Sequence, residues 1–246
     1  MTEVTNRIGD ISMRRAAQIA GFGYLVVFVL GIFAFSLEDL IVPGDAAATA
    51  SNISDSELSF RAGVASLLIV LVADAVVAWA LYIFLKPVSE SLSLLTAWLR
   101  LLYVAVAASA FVGLFSVATI LSGAVDSTAF EPAQLDGLTT LFLNIYQYGF
   151  NVSFVFFGLH ILGLGYLIWK SDYVPHLLGV LLIIAAVGYQ IDSFASMLSS
   201  SYANNDTLFV VFVAVPAIVS ELALTLWLLI RGGKLRPGRE PASESA

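Results

Sequence analysis

The stretch that decides the fold is LLYVAVAASAFVGLFSVATIL, residues 101–121, in which no side chain carries a charge. A helix that crosses roughly 30 Å of hydrocarbon at about 1.5 Å per residue needs about 20 apolar residues, which is the length of this stretch. In lipid the backbone of a single segment can satisfy its own hydrogen bonds only as a helix. The stretch therefore predicts a transmembrane α-helix.

Five further stretches have the same character. Across all 246 residues, 59% are hydrophobic and 12% are charged, and the mean hydropathy is +0.93, values that exclude an ordinary soluble domain. We predict an all-α, polytopic transmembrane helix bundle with six spans near residues 19–37, 62–85, 101–121, 148–169, 177–198 and 208–230. Residues 19–230 then form a single domain, between an N-terminal segment (1–18) and a disordered tail (231–246), both cytoplasmic.

The basic residues predict the orientation, because they are retained on the cytoplasmic side during insertion. With the N-terminus inside, that side collects Arg7, Arg14, Arg15, Lys86, Arg100, Lys170, Arg231, Lys234, Arg236 and Arg239. The outer loops instead collect Glu38, Asp39, Asp45, Asp55, Glu57, Asp126, Glu131, Asp136 and Asp206, with Arg61 as an exception. We therefore expect a multi-pass protein of the cell membrane with both termini in the cytoplasm.

The first span has an alternative interpretation as a cleaved signal peptide. Arg14 and Arg15 would form its basic region, and Ala46 to Ala48 its cleavage site. The apolar run is longer than usual for a signal peptide, and an acidic stretch separates it from those alanines, so we favour an uncleaved span.

The fourth span is complicated by the residues before it. A helix from Leu138 to Trp169 would be about 48 Å long, well beyond the hydrocarbon. We interpret residues 139–148 as interfacial or as an outward extension of the helix, with a break near Gly149. Asn144, Gln147 and Asn151 would share one face there, lining an outer vestibule or facing solvent.

Several classes of function lack their sequence signatures. The chain has no cysteine, which excludes disulfides and thiolate metal sites. The net charge of −7 argues against a nucleic-acid partner. No GxSxG, HExxH or phosphate-cradling glycine loop occurs, and the two histidines lie at different predicted depths. We expect neither an enzyme nor a metal or other cofactor.

Four stretches resemble a known family: residues 14–35, 81–104, 157–194 and 216–232. Their most specific part is the hairpin between the fourth and fifth spans, together with the last span. Its characteristic residues are Gly165, Tyr166, Ser171, Tyr173, Pro175, Gly179, Tyr189 and Asp192, with Glu221 and Trp227 in the last span. These features are similar to the prokaryotic membrane proteins grouped as domain of unknown function 4386. Where the resemblance implies an arginine after Pro175, this chain has His176. The resemblance implies an architecture and no activity, so it contributes no site residue.

Four ionisable residues fall inside the predicted spans, where a charge costs roughly 2.5–3.5 kcal/mol and needs compensation. These candidates for ligand or proton binding are Asp74, His160, Asp192 and Glu221. Asp74 is expected to be neutral unless a cation lies near, either as a hydrogen-bonded packing acid or as a proton or cation relay. His160 is interpreted first as a hydrogen-bonded core histidine, and Asp192 as a residue of an outer vestibule.

Glu221 is the strongest functional candidate. It lies mid-span, five residues after Pro216, and the proline removes a helix hydrogen bond and favours a kink that could line a cavity. Arg100 completes the candidate set. Because the apolar run is taken to begin at Leu101, we expect Arg100 to snorkel to the cytoplasmic surface, the alternative being an inward turn to pair with Glu221.

Two functions therefore stay open. The first is a membrane protein that binds or transports a small molecule, ion or lipid through a polar pocket involving Glu221, Asp74 and His160. The alternative is a structural or partner-binding membrane protein whose buried acids serve helix packing. A cavity that reaches Glu221 would favour the first, and a dry bundle with every acid hydrogen-bonded would favour the second.

Overall fold

A computed structural model describes residues 11–35, 37–124, 129–198 and 206–234, and the regular structure of these residues is entirely helical. The α-helices are α1 (Met13–Phe35), α2 (Ala46–Asp55), α3 (Glu57–Leu85), α4 (Glu90–Leu121), α5 (Pro132–Lys170), α6 (His176–Leu198) and α7 (Asp206–Ile230). Short 3-10 helices cover Glu38–Leu40 and Gly232–Lys234. Within the described residues, six helices are long and apolar enough to cross a membrane, namely α1 and α3 to α7. The predicted all-α bundle of six membrane-spanning helices is confirmed.

Local sequence signals fix where three of the helices begin. The Ser89 hydroxyl accepts a hydrogen bond from the Leu92 amide at 3.4 Å, capping α4. A capping box joins Glu131 and Gln134 at the start of α5, whose first residue is a proline. The Asp45 carboxylate accepts from the Ala48 amide at 2.9 Å and caps α2. Side-chain caps therefore set these boundaries, whether or not the neighbouring residues are apolar.

Several boundaries differ from the prediction. Helix α1 begins at Met13 rather than Ile19, and α4 begins at Glu90 rather than Leu101. Helix α5 is continuous from Pro132 to Lys170, so no break occurs at Gly149. At about 1.5 Å per residue it is about 58 Å long, which supports the outward extension. The exposed Asn144 and Gln147 lie on that extension.

The predicted acidic loop between the first two spans is also partly helical. It contains α2, whose buried Ile53 and Thr49 face the bundle. At the other end of the chain, residues 232–234 form a 3-10 helix instead of disordered tail, and Gly232 packs on Ala17 of α1. The remainder of the predicted tail, 235–246, and residues 1–10 of the N-terminal segment lie outside the described residues.

Glycines allow the closest helix contacts. A Cβ atom at Gly165 of α5 would lie 2.8 Å from the carbonyl oxygen of Gly179 in α6, so neither position has room for a larger side chain without movement. Gly149 likewise faces Ala110 where α5 crosses α4. These contacts make α4, α5 and α6 the most extensively packed part of the bundle. Helix α1 packs mainly against α3 and, near its start, against α7.

The two ends of the bundle differ in charge. The end where α1 begins and α7 finishes, here called the basic end, carries Arg14, Arg15, Lys86, Lys170, Arg231 and Lys234. The opposite, acidic end carries Glu38, Asp39, Asp45, Asp55, Glu57, Glu131 and Asp136. At the basic end the Tyr173 hydroxyl donates to the Phe84 carbonyl at 2.9 Å, joining the α5–α6 turn to α3. Both described ends of the chain therefore lie on one side of the bundle.

Candidate functional site

Charged and polar side chains from different helices meet at one depth inside the bundle. Asp74, Arg100, His160 and Glu221 each lie nine to eleven residues from the basic end of their own helix. At about 1.5 Å per residue this places them roughly 14–16 Å from that end, about halfway across the hydrocarbon. Tyr24 lies at the same depth on α1. Five spans, of which α1 and α4 begin at the basic end and α3, α5 and α7 finish there, thus bring these groups to one level.

Arg100 is the centre of the cluster, and none of its surface is exposed. Its Nε donates to Oδ1 of Asp74 at 3.1 Å, and its Nη2 forms an ion pair with the same oxygen. Its Nη1 donates to the Tyr24 hydroxyl at 2.8 Å and contacts Nε2 of His160 at 3.0 Å. We call Tyr24, Asp74, Arg100 and His160 the Arg100 network. One guanidinium thereby joins α1, α3, α4 and α5.

Aromatic rings surround the guanidinium. Its central carbon lies 4.7 Å from the Tyr24 ring centre and 5.5 Å from the Phe157 ring centre, distances that allow cation–π attraction. Asp74 is 1% exposed, so its carboxylate is removed from water together with the guanidinium. The hydrogen bonds, the opposite charge of Asp74 and the aromatic faces together offset the free-energy cost of removing the guanidinium from water.

The hydrogen bonds define the protonation of His160. Its Nδ1 lies 2.8 Å from the Thr96 carbonyl oxygen, which can only accept, so Nδ1 carries the proton. Its Nε2 faces Arg100, which can only donate, so Nε2 must offer its lone pair. His160 is therefore neutral, with its proton on Nδ1, and both ring nitrogens are occupied.

The expectation that Arg100 snorkels to the surface is wrong. Helix α4 begins at Glu90, three turns before Arg100, so the side chain starts near the middle of the bilayer and cannot reach the headgroups. The partner of Arg100 is Asp74 rather than Glu221. Asp74 was expected to be neutral only if no cation lay near, and Arg100 is that cation. The turn signals Pro87 and Ser89 would have placed the helix start correctly and exposed the error.

Glu221 lies beside this network, on the wall of a cavity. It is 8% exposed, and its Oε1 accepts a hydrogen bond from the Tyr189 hydroxyl at 3.0 Å. Helix α7 continues through Pro216 to carry it. The cavity has a volume of about 180 Å³ and is lined by Val27, Phe28, Asp74, Arg100, Tyr103, Phe154, Phe157, Tyr189, Ile218 and Glu221. We call this space the Glu221 cavity.

The Glu221 cavity is only partly enclosed. Its walls from α1 and α7 include Phe28, which is half-buried, and Ile218, which is 50% exposed on the apolar surface of the bundle. Nearer the basic end, α1 and α7 are in close contact, where Gly21 meets Leu229. The cavity therefore reaches the bundle surface between α1 and α7, at the depth of the hydrocarbon.

Of the five sequence candidates, four line this site or bond to it. Asp74, Arg100 and Glu221 line the cavity, while His160 lies outside the lining and contacts the Arg100 guanidinium. Asp192 is half-buried one turn beyond Tyr189 towards the acidic end and is not part of the lining. In the described parts of the chain, no three acidic or histidine side chains are grouped closely enough to hold a metal ion.

Sequence reasoning missed the aromatic part of the site. Phe154, Phe157 and Tyr103 pack on one another, and Phe154 and Phe157 also pack on Tyr189, with the Phe154 and Tyr189 rings stacked at 5.7 Å. Such rings are indistinguishable from ordinary core residues in a hydrophobic sequence. The spacing of Tyr146, Phe150, Phe154 and Phe157 along one face of α5 was the available signal.

The fold and site define a class: a polytopic helical membrane protein with a charged cluster and an aromatic cavity at mid-depth. Residues 19–232 match the family described as Domain of unknown function (DUF4386), and the chain belongs to it. An uncharacterized protein of Archaeoglobus fulgidus is 30% identical over 172 residues, which cover 70% of this chain and 85% of the relative. No solved structure matches the chain.

Proposed function

We propose that this protein binds a small molecule or the headgroup of an amphiphile in the Glu221 cavity. The observation that carries the proposal is a carboxyl group on the wall of a partly open space at mid-depth, beside a paired arginine. Pockets that bind whole drug-sized ligands have volumes of about 300–1,000 Å³, so a cavity of about 180 Å³ suits a small ligand or a headgroup. An amphiphile would leave its tail in the bilayer between α1 and α7.

The Arg100 network has a different role in this proposal. Its ion pair and hydrogen bonds occupy Asp74, His160 and Tyr24. These residues hold the cavity wall in place, in line with the alternative that buried acids serve helix packing. Glu221 is the ionisable group that the network leaves available to a ligand, so the two interpretations apply to different parts of one cluster.

Blocking the mouth of the cavity tests the proposal. Ile218→Trp places a large ring at the opening, whereas Val219→Trp, the neighbouring and equally exposed position outside the lining, serves as the control. Purified wild type should be thermally stabilised by at least one member of a panel of small amphiphiles and bilayer lipids. The stabilisation should disappear in Ile218→Trp and persist in Val219→Trp. Equal responses in all three proteins would contradict a binding site at this position.

We also propose that the protein lies in the cell membrane, with the basic end of the bundle facing the cytoplasm and both termini in the cytoplasm. The support is the concentration of arginine and lysine at that end and of acidic residues at the other. Because the natural chain has no cysteine, single cysteines can be introduced without background. In intact cells an impermeant thiol reagent should label Ser51→Cys and spare Asp172→Cys. The reverse pattern would invert the topology.

A further inference from the structure

The charges around the Glu221 cavity are unbalanced whenever Glu221 is ionised. Arg100 and Asp74 form an ion pair and neutralise each other, and the hydrogen bonds of His160 keep that ring neutral. An ionised Glu221 then leaves one net negative charge in this group of buried residues. Within low-dielectric surroundings such a charge attracts a cation strongly.

The hydrogen bonds also leave part of Glu221 open. Tyr189 donates to Oε1, and among the described residues no protein group donates to Oε2. This oxygen belongs to a side chain of the cavity lining, so a ligand in the cavity can contact it. It accepts hydrogen bonds when ionised and has no proton to offer an anion.

The remaining walls are aromatic. Phe28, Tyr103, Phe154, Phe157 and Tyr189 contribute to the lining, and four of them pack in one cluster. Aromatic faces beside a carboxylate form the surroundings that recognise ammonium groups, because the faces are negative and need no hydrogen-bond donor from the ligand. Small inorganic ions would instead require several oxygen ligands, and the lining offers few.

We propose that the Glu221 cavity recognises the cationic, ammonium-type headgroup of an amphiphile, which enters between α1 and α7. The headgroup pairs with Glu221 and lies against Phe154 and Tyr103, while its alkyl tail leaves past Ile218 into the bilayer. Nearby Arg100 does not oppose the ligand, because Asp74 balances its charge. This inference rests on the proposed binding function and adds the ligand class.

The test compares three amphiphiles that share an eight-carbon tail: octyltrimethylammonium, octyl sulfate and octanol. Their dissociation constants are measured by calorimetry on the purified full chain in an uncharged detergent. Octyltrimethylammonium should bind at least tenfold more tightly than the other two. Glu221→Gln should weaken it at least tenfold, while Asp192→Asn, an acid outside the cavity lining, should leave it unchanged.

A second pair of variants keeps the test decisive if Glu221→Gln does not fold. Phe154→Leu removes an aromatic wall, and Phe150→Leu removes the next ring along the same helix face, outside the lining. Only Phe154→Leu should weaken binding of octyltrimethylammonium, by about threefold or more.

The outcomes separate the two proposals. If octanol or octyl sulfate binds as tightly as the cation and Ile218→Trp blocks that binding, the cavity is a binding site and the cationic class is wrong. If none of the three amphiphiles binds, the cationic class is wrong, and the thermal panel with Ile218→Trp and Val219→Trp decides whether the cavity is a binding site. If Ile218→Trp changes nothing in either test, both proposals are wrong. If the cation binds equally to wild type, Glu221→Gln and Phe154→Leu, the assigned recognition is wrong.

Discussion

Arg100→Lys is the substitution that most directly tests the buried network. Lysine keeps the positive charge beside Asp74 but has a single nitrogen in place of the planar fork. The arginine makes four polar contacts with three side chains, from three nitrogens that point in different directions. One ammonium group cannot reach Asp74, Tyr24 and His160 together, so we expect at least two contacts to be lost.

The cost follows from those contacts. Side-chain hydrogen bonds between membrane helices contribute about 0.6–2 kcal/mol each, so two lost contacts predict a loss of about 1–4 kcal/mol in the free energy of unfolding. Arg100→Ala should cost more, about 3–5 kcal/mol, because it leaves the Asp74 carboxylate buried without a partner. The double variant Asp74→Leu/Arg100→Met, in which both charges are removed, should be more stable than Arg100→Ala.

The assay is equilibrium unfolding of the purified protein in mixed micelles. Arg61→Lys is the matched control, since Arg61 is exposed and pairs with Glu57 of its own helix at 2.7 Å. Exchanging arginine for lysine at position 61 should change the free energy of unfolding by less than about 1 kcal/mol. If Arg100→Lys unfolds like Arg61→Lys, the contacts of the Arg100 network do not stabilise the fold and the reasoning is refuted.

Three other predictions concern single contacts. Nitrogen NMR of labelled His160 should show a neutral ring with its proton on Nδ1, and a proton on Nε2 would contradict the assigned bond to Arg100. Tyr173→Phe should lower the free energy of unfolding by about 0.5–1.5 kcal/mol through loss of the bond to the Phe84 carbonyl, and an unchanged value would show that this contact does not stabilise the fold. Gly165→Val should destabilise the α5–α6 hairpin strongly in a thermal unfolding assay, whereas Gly137→Ala, which faces open space, should be neutral or stabilising, and equal melting temperatures would refute the close approach of the two helices.

The sequence by itself determined the class of fold and the family. Long uncharged stretches allow only helices in lipid, so composition and length were enough for six membrane-spanning helices. Four of the five candidate residues belong to one site, because a charge inside a span persists only where a partner compensates it. The common depth of three of these residues in the membrane could also be counted from the sequence, since Asp74, His160 and Glu221 lie at similar distances from the cytoplasmic ends of their predicted spans.

Only the tertiary structure decided which charges pair. Arg100 was misplaced because apolarity marked the start of its helix at Leu101, while the Ser89 cap begins it at Glu90. The choice of Asp74 over Glu221 as its partner depends on how α3, α4 and α7 rotate about their axes, which mostly apolar helices do not encode in a clear stripe. Phe154 and Tyr103 became cavity walls for the same reason: whether an aromatic side chain fills a core or lines a space depends on the neighbouring helices, which one sequence segment does not specify.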